Sequence, residues 1–308
     1  MPPDDPLQPL PPPRLQAQPP PRPPAQAPAR TPSEPAQAQP RPQPLSEPRP
    51  EARALFTIRG LTKGFAGRNV LDGLDFEILR GETFVILGRS GSGKSVTLRQ
   101  LNGLDKPDAG SVVFDGTDIT GLEERDLYPL RRRIAMLFQG GALFDSMTVF
   151  DNVAFPLREH TRLSEAEIAA KVQEKLGLVR LPEAGPKMPS DLSGGMRKRA
   201  ALARSLALDP EVLLYDEPTT GLDPITSAAI GKLIRQIHRH LDVTQVVITH
   251  DLDLAQHVGD RLAYLSEGHF RFLGDWAAAK RSSDPELGDM LSGRAWDEED
   301  DHAASAQP

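Results

Sequence analysis

The chain has 308 residues, enough for one large domain or two small ones, and it contains 31 prolines and no cysteine. A chain without cysteine has no disulfides, no Cys-based metal site and no thiol nucleophile, which is typical of a reducing compartment. The formal net charge of -7 argues against a dedicated nucleic-acid-binding protein. No run approaches the ~18 apolar residues that a spanning helix needs, so we expect a soluble chain whose membrane role comes through a partner.

Residues 1–54 consist mainly of Pro, Gln, Ala and Arg, with almost no side chains that could form a core. This composition predicts a disordered tail that serves as an extended spacer or as a docking ligand for an SH3-type domain. The apolar content rises abruptly at Leu55, where the folded domain is predicted to begin.

Short apolar runs predict an α/β fold with two sheets. LFTIRG, LDFEIL and SVVFDG alternate apolar and polar residues, which indicates a small antiparallel sheet. TFVILG, VLLYDE and QVVITH are continuously apolar, which favours a parallel sheet buried on both faces. The architecture is therefore a parallel core beside an antiparallel β subdomain.

Residues about 140–208 are predicted to form a helical subdomain. Helical patterns run from Ser164, where Ser164 and Glu167 make a capping box, to Leu208. A further helix is predicted after His250, followed by a hairpin. The domain is predicted to span residues 55–275, and residues 276–308 are interpreted as a polar, acidic C-terminal tail.

A P-loop pattern follows the strand TFVIL and precedes a helical stretch. Its glycines allow backbone N–H groups to surround phosphate oxygens, the helix directs its positive end at them, and the lysine adds a point charge. The last serine supplies a hydroxyl for Mg²⁺. The candidate residues for ATP are Gly88, Arg89, Ser90, Gly91, Ser92, Gly93, Lys94, Ser95 and Val96.

The apolar strand VLLYDE ends in two carboxylates, Asp216 and Glu217, at the edge where a parallel sheet presents ligand-binding groups. They could be solvated residues at a strand end. With a P-loop in the same chain, Asp216 is expected to hold Mg²⁺ and Glu217 to polarise the attacking water.

LSGGM stands before the helical pattern RKRAALARSLAL and resembles the signature of ATP-binding cassette (ABC) proteins. The P-loop, Gln139, LSGGM, VLLYDEP, the turn ending in Asp223, and His250 occur in the family's order between about residues 55 and 275. The resemblance implies an ABC-type ATPase that works as a homodimer, with Ser193, Gly194 and Gly195 contacting the ATP held by the partner. In isolation the same loop would be read as an ordinary helix N-cap.

The resemblance also assigns roles to single residues. Gln139 is expected to act as the lid glutamine that reaches Mg²⁺ or water, and His250 as the switch histidine at the γ phosphate. Asp223 is grouped with the nucleotide-binding residues. Phe65 is expected to stack on adenine, with a partly buried core position as the alternative. Residues 131–133 and 197–199 are interpreted as solvated basic faces, although the second cluster could offset triphosphate charge.

One position departs from the family pattern. Met196 stands where the signature commonly has Gln. The expected phosphate contacts come from Ser193 and backbone amides, so we expect activity to survive. The departure leaves open how the helix is anchored.

The stretch from Met136 to Glu165 resembles the ATPases of bacterial phospholipid-trafficking systems, the Mla and Mce group, also named toluene-tolerance or ribonucleotide-transport ATPases. The resemblance implies an integral membrane permease and a lipid-binding MCE-type protein as partners. It also implies a location at the cytoplasmic face of the inner membrane. Leu143, Phe144, Met147 and Phe155 are candidate permease contacts or core residues. The alternatives are the ATPase of an importer for amino acids or another polar solute, and a soluble ABC module outside transport.

Overall fold

The computed structural model describes residues 53–293. The predicted tail over residues 1–54 therefore lies almost wholly outside the described residues, as do residues 294–308. Within residues 53–293, no helix combines the length and the apolar character needed to span a bilayer.

Ten strands and nine α-helices make up the described domain. The strands are β1 (Ala54–Phe65), β2 (Arg68–Leu79), β3 (Thr83–Leu87), β4 (Ala109–Phe114), β5 (Thr117–Asp118), β6 (Ile134–Leu137), β7 (Val212–Asp216), β8 (Thr244–Thr249), β9 (Arg261–Ser266) and β10 (His269–Asp275). The helices are α1 (Lys94–Leu101), α2 (Glu124–Arg133), α3 (Val149–His160), α4 (Glu165–Leu178), α5 (Gly194–Ser205), α6 (Pro224–Leu241), α7 (Leu252–Val258), α8 (Trp276–Ala279) and α9 (Pro285–Ser292). A short 3-10 helix covers Pro189–Asp191.

The two predicted sheets are confirmed. One is antiparallel with the strand order β2-β1-β4-β5. The other has the order β10-β9-β3-β8-β7-β6; its strands run parallel except at the β9–β10 hairpin. That hairpin turns at Glu267 and Gly268, both of which have positive φ, as a two-residue turn between right-twisted strands requires.

The six-stranded sheet is buried on both faces, which explains its continuous apolar runs. Along β3, Val85 and Leu87 belong to the core that contains residues of α6, α7 and the helical subdomain, whereas Phe84 and Ile86 belong to the core that contains the antiparallel sheet and α1. Alternate residues of one strand therefore belong to two separate cores.

The strand order determines where polar groups can meet. β3, β8, β7 and β6 are consecutive parallel neighbours, so their carboxyl ends lie along one edge of the sheet. In open α/β sheets this edge is where ligands bind.

The helical subdomain contains α3, α4 and α5, which pack against one another. The predicted capping box is present at the start of α4, where the Ser164 hydroxyl accepts from Glu167 N and the Glu167 carboxylate accepts from Ser164 N. α3 was not predicted as a helix, because Pro156 lies inside it. Thr148 caps its start by accepting from Asp151 N.

The interpretation of residues from 276 onward as an unpacked tail is wrong for the part that the structure describes. α8 and α9 follow β10 directly, and Leu287 is completely buried in the core beside the helical subdomain. Glu286 also accepts a hydrogen bond from the Ser266 hydroxyl at 2.7 Å. The polar composition around these few apolar anchors concealed two short helices.

The interpretation of residues 131–133 as a solvated face holds only for Arg132. Arg133 donates to Asp115 and Glu211, each at 2.6 Å, and so joins the antiparallel hairpin to the start of β7. Arg131 donates to the carbonyl oxygens of Asn102 and Gly103. Both side chains tie elements of the fold together.

Candidate nucleotide site

The loop after β3 is shaped to hold an anion. Gly93 precedes α1 with a φ of 101°, and within the described residues no side chain caps this helix start. A Cβ at Gly93 would lie 2.8 Å from the Leu71 side chain, and one at Gly88 would lie 2.4 Å from the carbonyl oxygen of Leu265. The backbone therefore requires glycine here, and the first N–H groups of α1 can point at phosphate oxygens.

Lys94 lies inside this loop. Its Nζ donates to the carbonyl oxygens of Gly88 and Arg89, both at 2.8 Å, and lies 3.5 Å from Glu217 Oε1. Burial lowers the pKa of Lys94, while the Glu217 carboxylate opposes this shift. The ammonium group is thus placed where the glycine loop and the end of β7 meet.

Asp216 and Ser95 form the candidate metal position. Ser95 Oγ donates to Asp216 Oδ1 at 3.0 Å. Burial raises the pKa of Asp216, and the hydrogen bond from Ser95 opposes this effect. A hydroxyl and a single carboxylate are the protein groups that hold Mg²⁺ together with phosphate oxygens.

Glu217 contacts two other predicted site residues. Its Oε2 lies 2.8 Å from His250 Nδ1, and its Oε1 faces Lys94. The residue has a φ of 47°, a left-handed conformation that is uncommon for a side chain other than glycine. The structure therefore gathers Lys94, Glu217 and His250 at the carboxyl ends of three neighbouring strands.

Gln139 follows β6 on the fourth neighbouring strand, and its side chain is exposed. Its carbonyl oxygen accepts a hydrogen bond from Lys198 Nζ at 2.6 Å, and the same ammonium donates to the carbonyl oxygen of Glu217 at 3.2 Å. Burial lowers the pKa of Lys198, while Asp216 and Glu217 oppose this shift.

The interpretation of residues 197–199 as a solvated face is therefore wrong at Lys198. In the sequence, Lys198 lies three residues after Gly195 and four before Leu202, both of which are buried on α5. A cation on the apolar stripe of a helix is the signal that could have identified it.

Asp251 is another residue that sequence reasoning missed. Thr219 Oγ1, just beyond Glu217, donates to Asp251 Oδ2 at 3.0 Å. Asp251 also caps α7 by accepting from Leu254 N. The hydrogen bond between Thr219 and Asp251 joins the segment after Glu217 to the segment after His250. It therefore helps to fix the distance between these two loops.

The signature loop makes its contacts with the start of α6. Ser193 is exposed, and its hydroxyl caps α5 by accepting from Met196 N at 3.3 Å. A Cβ at Gly195 would lie 2.4 Å from Thr226 Cγ2, and one at Gly194 would lie 3.3 Å from the Leu222 side chain. The loop is therefore packed from behind and presents Ser193 outward.

Met196 leaves the anchoring of α5 intact. Its side chain is half-buried against the core beside the helical subdomain, and its backbone N–H satisfies the Ser193 cap. Packing of the Met196 side chain and the Ser193 N-cap hold the start of α5, so the helix does not need a glutamine at position 196.

Three predicted residues lie around this cluster without contacting its centre. Phe65 ends β1 with 47% of its surface exposed, which excludes the core alternative for its side chain. Val96 is half-buried on α1. Asp223 caps α6, accepting from Thr226 N and the Thr226 hydroxyl, and these bonds lower its pKa.

The family model described as ABC transporter matches residues 71–220. The chain is 43% identical over 255 residues to the probable ribonucleotide transport ATP-binding protein mkl of Mycobacterium tuberculosis, covering 81% of this chain and 71% of that protein.

A second relative carries a different functional name. The chain is 41% identical over 241 residues to the intermembrane phospholipid transport system ATP-binding protein MlaF of Escherichia coli, covering 78% of this chain and 90% of that protein. Among solved structures, a dimeric ATP-binding cassette in a post-hydrolysis state bound to ADP and phosphate is 33% identical, with a TM-score of 0.67. The similarity covers 71% of this chain and 98% of that structure.

Proposed function

Because the chain belongs to the ABC transporter family of ATP-binding subunits, we propose that it hydrolyses ATP to drive phospholipid transport between membranes of a bacterial envelope. The observation that carries the choice of cargo is the similarity to an intermembrane phospholipid transport ATPase over nine tenths of that relative. The ATPase assignment itself is given by the family and by the site geometry.

The residues at the strand ends divide the chemistry among them. Lys94 neutralises charge on the transferred phosphate, Glu217 orients and polarises the attacking water, and His250 holds Glu217 and contacts the γ phosphate. Such reactions depend mainly on positioning and charge stabilisation, which is what a rigid cluster on neighbouring strands supplies.

The site fits Mg²⁺ as a cofactor. Ser95 and Asp216 already lie within hydrogen-bonding distance of each other, and Gln139 is the third residue proposed to hold the ion. Within residues 53–293 no group of three or more His, Cys, Asp or Glu could form a metal cage alone. Few protein ligands are needed for an ion whose other ligands are phosphate oxygens of ATP, and Ser95, Asp216 and Gln139 fit that requirement. When bound, the ion would offset phosphate charge.

The exposed signature loop supports a homodimer. Gly194 and Gly195 pack against the start of α6 and leave Ser193 exposed, whereas Lys94 and Ser95 of the P-loop contact Glu217 and Asp216 at the end of β7. In the proposed dimer, each signature loop contacts the ATP bound by the other subunit, as a second helix N-terminus directed at phosphate. Exposed Phe65 is proposed to stack on adenine.

An exposed aromatic pair supports a permease contact. Phe144 and Phe155 are 43% and 37% exposed, and their ring centroids lie 5.2 Å apart in an edge-to-face arrangement. The guanidinium of Arg204 lies 5.7 Å from the centroid of the Phe144 ring. This surface adjoins the Gln139 loop, so a permease helix bound here could respond to closure at the nucleotide. Leu143 instead packs against the core.

These contacts lead to the proposed assembly. It comprises two copies of this chain, an integral membrane permease and a lipid-binding MCE-type protein. The ATPase subunits lie at the cytoplasmic face of the inner membrane.

A second candidate cargo has its own support. The mycobacterial relative is named for ribonucleotide transport, so import of a polar solute is the alternative. A soluble ABC module acting on nucleic acid fits less well, because the net charge is -7. In addition, only about a hundred residues separate the P-loop from the signature, which leaves no room for a long coiled-coil arm.

Copurification tests the assembly. A tagged chain extracted with detergent from its own host is expected to retain a permease and an MCE-type protein. Phe144→Asp or Phe155→Asp should reduce permease recovery about tenfold or more while ATP binding is kept, since a buried aromatic anchor can contribute about 2 kcal/mol. Leu273→Asp, at another exposed apolar side chain, is the matched control. If all three variants recovered the permease equally, the aromatic pair would not be part of the permease contact. If a solute-binding protein copurified in place of the MCE-type protein, import of a polar solute would be favoured.

A further inference from the structure

Lys198 is a buried cation in a helix whose neighbouring basic residue is exposed. Only 8% of its surface is accessible, while Arg197 on the same turn reaches solvent. Removing an ammonium from water is costly unless hydrogen bonds and nearby opposite charge compensate. The position of Lys198 therefore requires an explanation beyond solubility.

The hydrogen bonds of Lys198 go to two loops. Nζ donates to the carbonyl oxygens of Gln139, beyond β6, and Glu217, beyond β7. Because Lys198 belongs to α5, a single ammonium joins the signature helix to both loops. No side-chain oxygen of Gln139 or Glu217 is used in these bonds, so their polar groups remain available for chemistry.

The backbone at Glu217 depends on such contacts. With a φ of 47°, Glu217 adopts a conformation that persists only when surrounding groups hold it. Its N–H donates to the Ile248 carbonyl at 3.0 Å, and its own carbonyl accepts from Thr220 N and Lys198 Nζ. Among the groups that hydrogen-bond to the Glu217 backbone in these contacts, Lys198 Nζ is the one that carries a charge.

We propose that Lys198 is a positioning residue for ATP hydrolysis, which aligns Glu217 and the Gln139 loop with the signature helix through their backbone carbonyls. It does not touch the reacting atoms. Movement of α5 when a partner's nucleotide engages the signature loop would thereby be transmitted to Glu217. The inference rests on the proposed roles of Gln139 and Glu217.

Lys198→Met tests the proposal because it keeps the length of the side chain and removes the donors. In the assembled transporter we expect kcat for ATP to fall about 10-fold to 100-fold, since a displacement near 1 Å at a reacting group can cost that much. KM for ATP should change less than about threefold. Lys198→Arg keeps the donors and should retain most of the activity. The matched control is Lys171→Met on α4, which loses only an exposed ion pair with Asp209.

Hydrogen exchange separates positioning from stability. In Lys198→Met, peptides covering residues 138–142 and 217–221 should exchange faster than in wild type, with melting temperature and exchange elsewhere nearly unchanged. If the Met variant does not fold, Lys198→Leu, which is shorter and also lacks a donor, is measured instead against Lys198→Arg by the same criteria.

Two results would overturn the proposal: an unchanged kcat in the donor-free variant, or equal losses in the Met and Arg variants. Equal losses would show that packing, and not hydrogen bonding, matters here. Glu217→Gln is run in parallel. If it also retained full turnover, the assignment of Glu217 would fail, whereas a loss of turnover in Glu217→Gln alone would refute only the role of Lys198.

Discussion

Glu217→Gln is expected to bind ATP and to lose nearly all hydrolysis. The amide keeps the size of the carboxylate but removes the charge that faces Lys94 and His250 at 3.5 Å and 2.8 Å. Because hydrolysis depends on an oriented acceptor for the attacking water, turnover should fall on the order of a hundred-fold or more. Steady-state phosphate release from the purified complex measures this effect.

Glu183→Gln is the matched control for this change. Glu183 is exposed in the helical subdomain, away from the strand ends, so its substitution should leave turnover unchanged. Near-normal phosphate release by Glu217→Gln would show that another group activates the water.

Ser193→Arg is expected to abolish turnover in the complex while the isolated subunit binds ATP almost as well as wild type. Ser193 is exposed, and the adjacent Gly194 and Gly195 pack against the start of α6, so an arginine at position 193 would project outward and obstruct contact with the partner's nucleotide. Turnover should fall about a hundred-fold or more, to near the background rate, because a group that completes the phosphate site only on closure acts on the reaction step. Titration of ATP into the monomer and phosphate release by the complex separate the two effects.

Ser164→Arg controls for the loss of a helix cap. Ser164 caps α4 as Ser193 caps α5, and either substitution should cost about 1 kcal/mol of stability. Only the change at Ser193 should affect hydrolysis. A Ser193→Arg monomer that lost ATP binding in proportion would indicate that the loop acts within its own subunit.

The division of the strands into two sheets could be predicted from the sequence because each sheet has its own periodicity. Continuous apolar runs identified β3, β7 and β8, and alternation identified the antiparallel strands. The motifs also placed the P-loop and the two carboxylates at strand ends, and the strand order in the structure brings Lys94, Glu217 and His250 together there. The glycine spacing of the P-loop likewise fixed the shape of the loop that surrounds Lys94.

Helices that contain proline or few apolar anchors were harder to predict. Pro129 and Pro156 lie inside α2 and α3, where proline usually ends a helix. α9 depends largely on buried Leu287 within a polar stretch. α6 was also not assigned, although Ile230, Leu233, Ile234 and Ile237 carry a helical period.

The least predictable part of the site was its backbone. A left-handed Glu217 leaves no pattern in the sequence, because two of the groups that hydrogen-bond to its backbone, the Ile248 carbonyl and Lys198 Nζ, come from distant segments. Lys198 itself was grouped with two arginines by charge alone. Long-range contacts of this kind are defined only once the chain has folded.

Reconstitution of the complex in liposomes tests the central claim most directly. Wild type, assembled with its permease and MCE-type partner, is expected to move labelled phospholipid between vesicle populations only with hydrolysable ATP. The complex that carries Glu217→Gln should move none. If the wild-type complex hydrolysed ATP, left phospholipid in place, and increased its turnover with a ribonucleotide or another polar solute, phospholipid transport would be contradicted and only the ATPase assignment would stand.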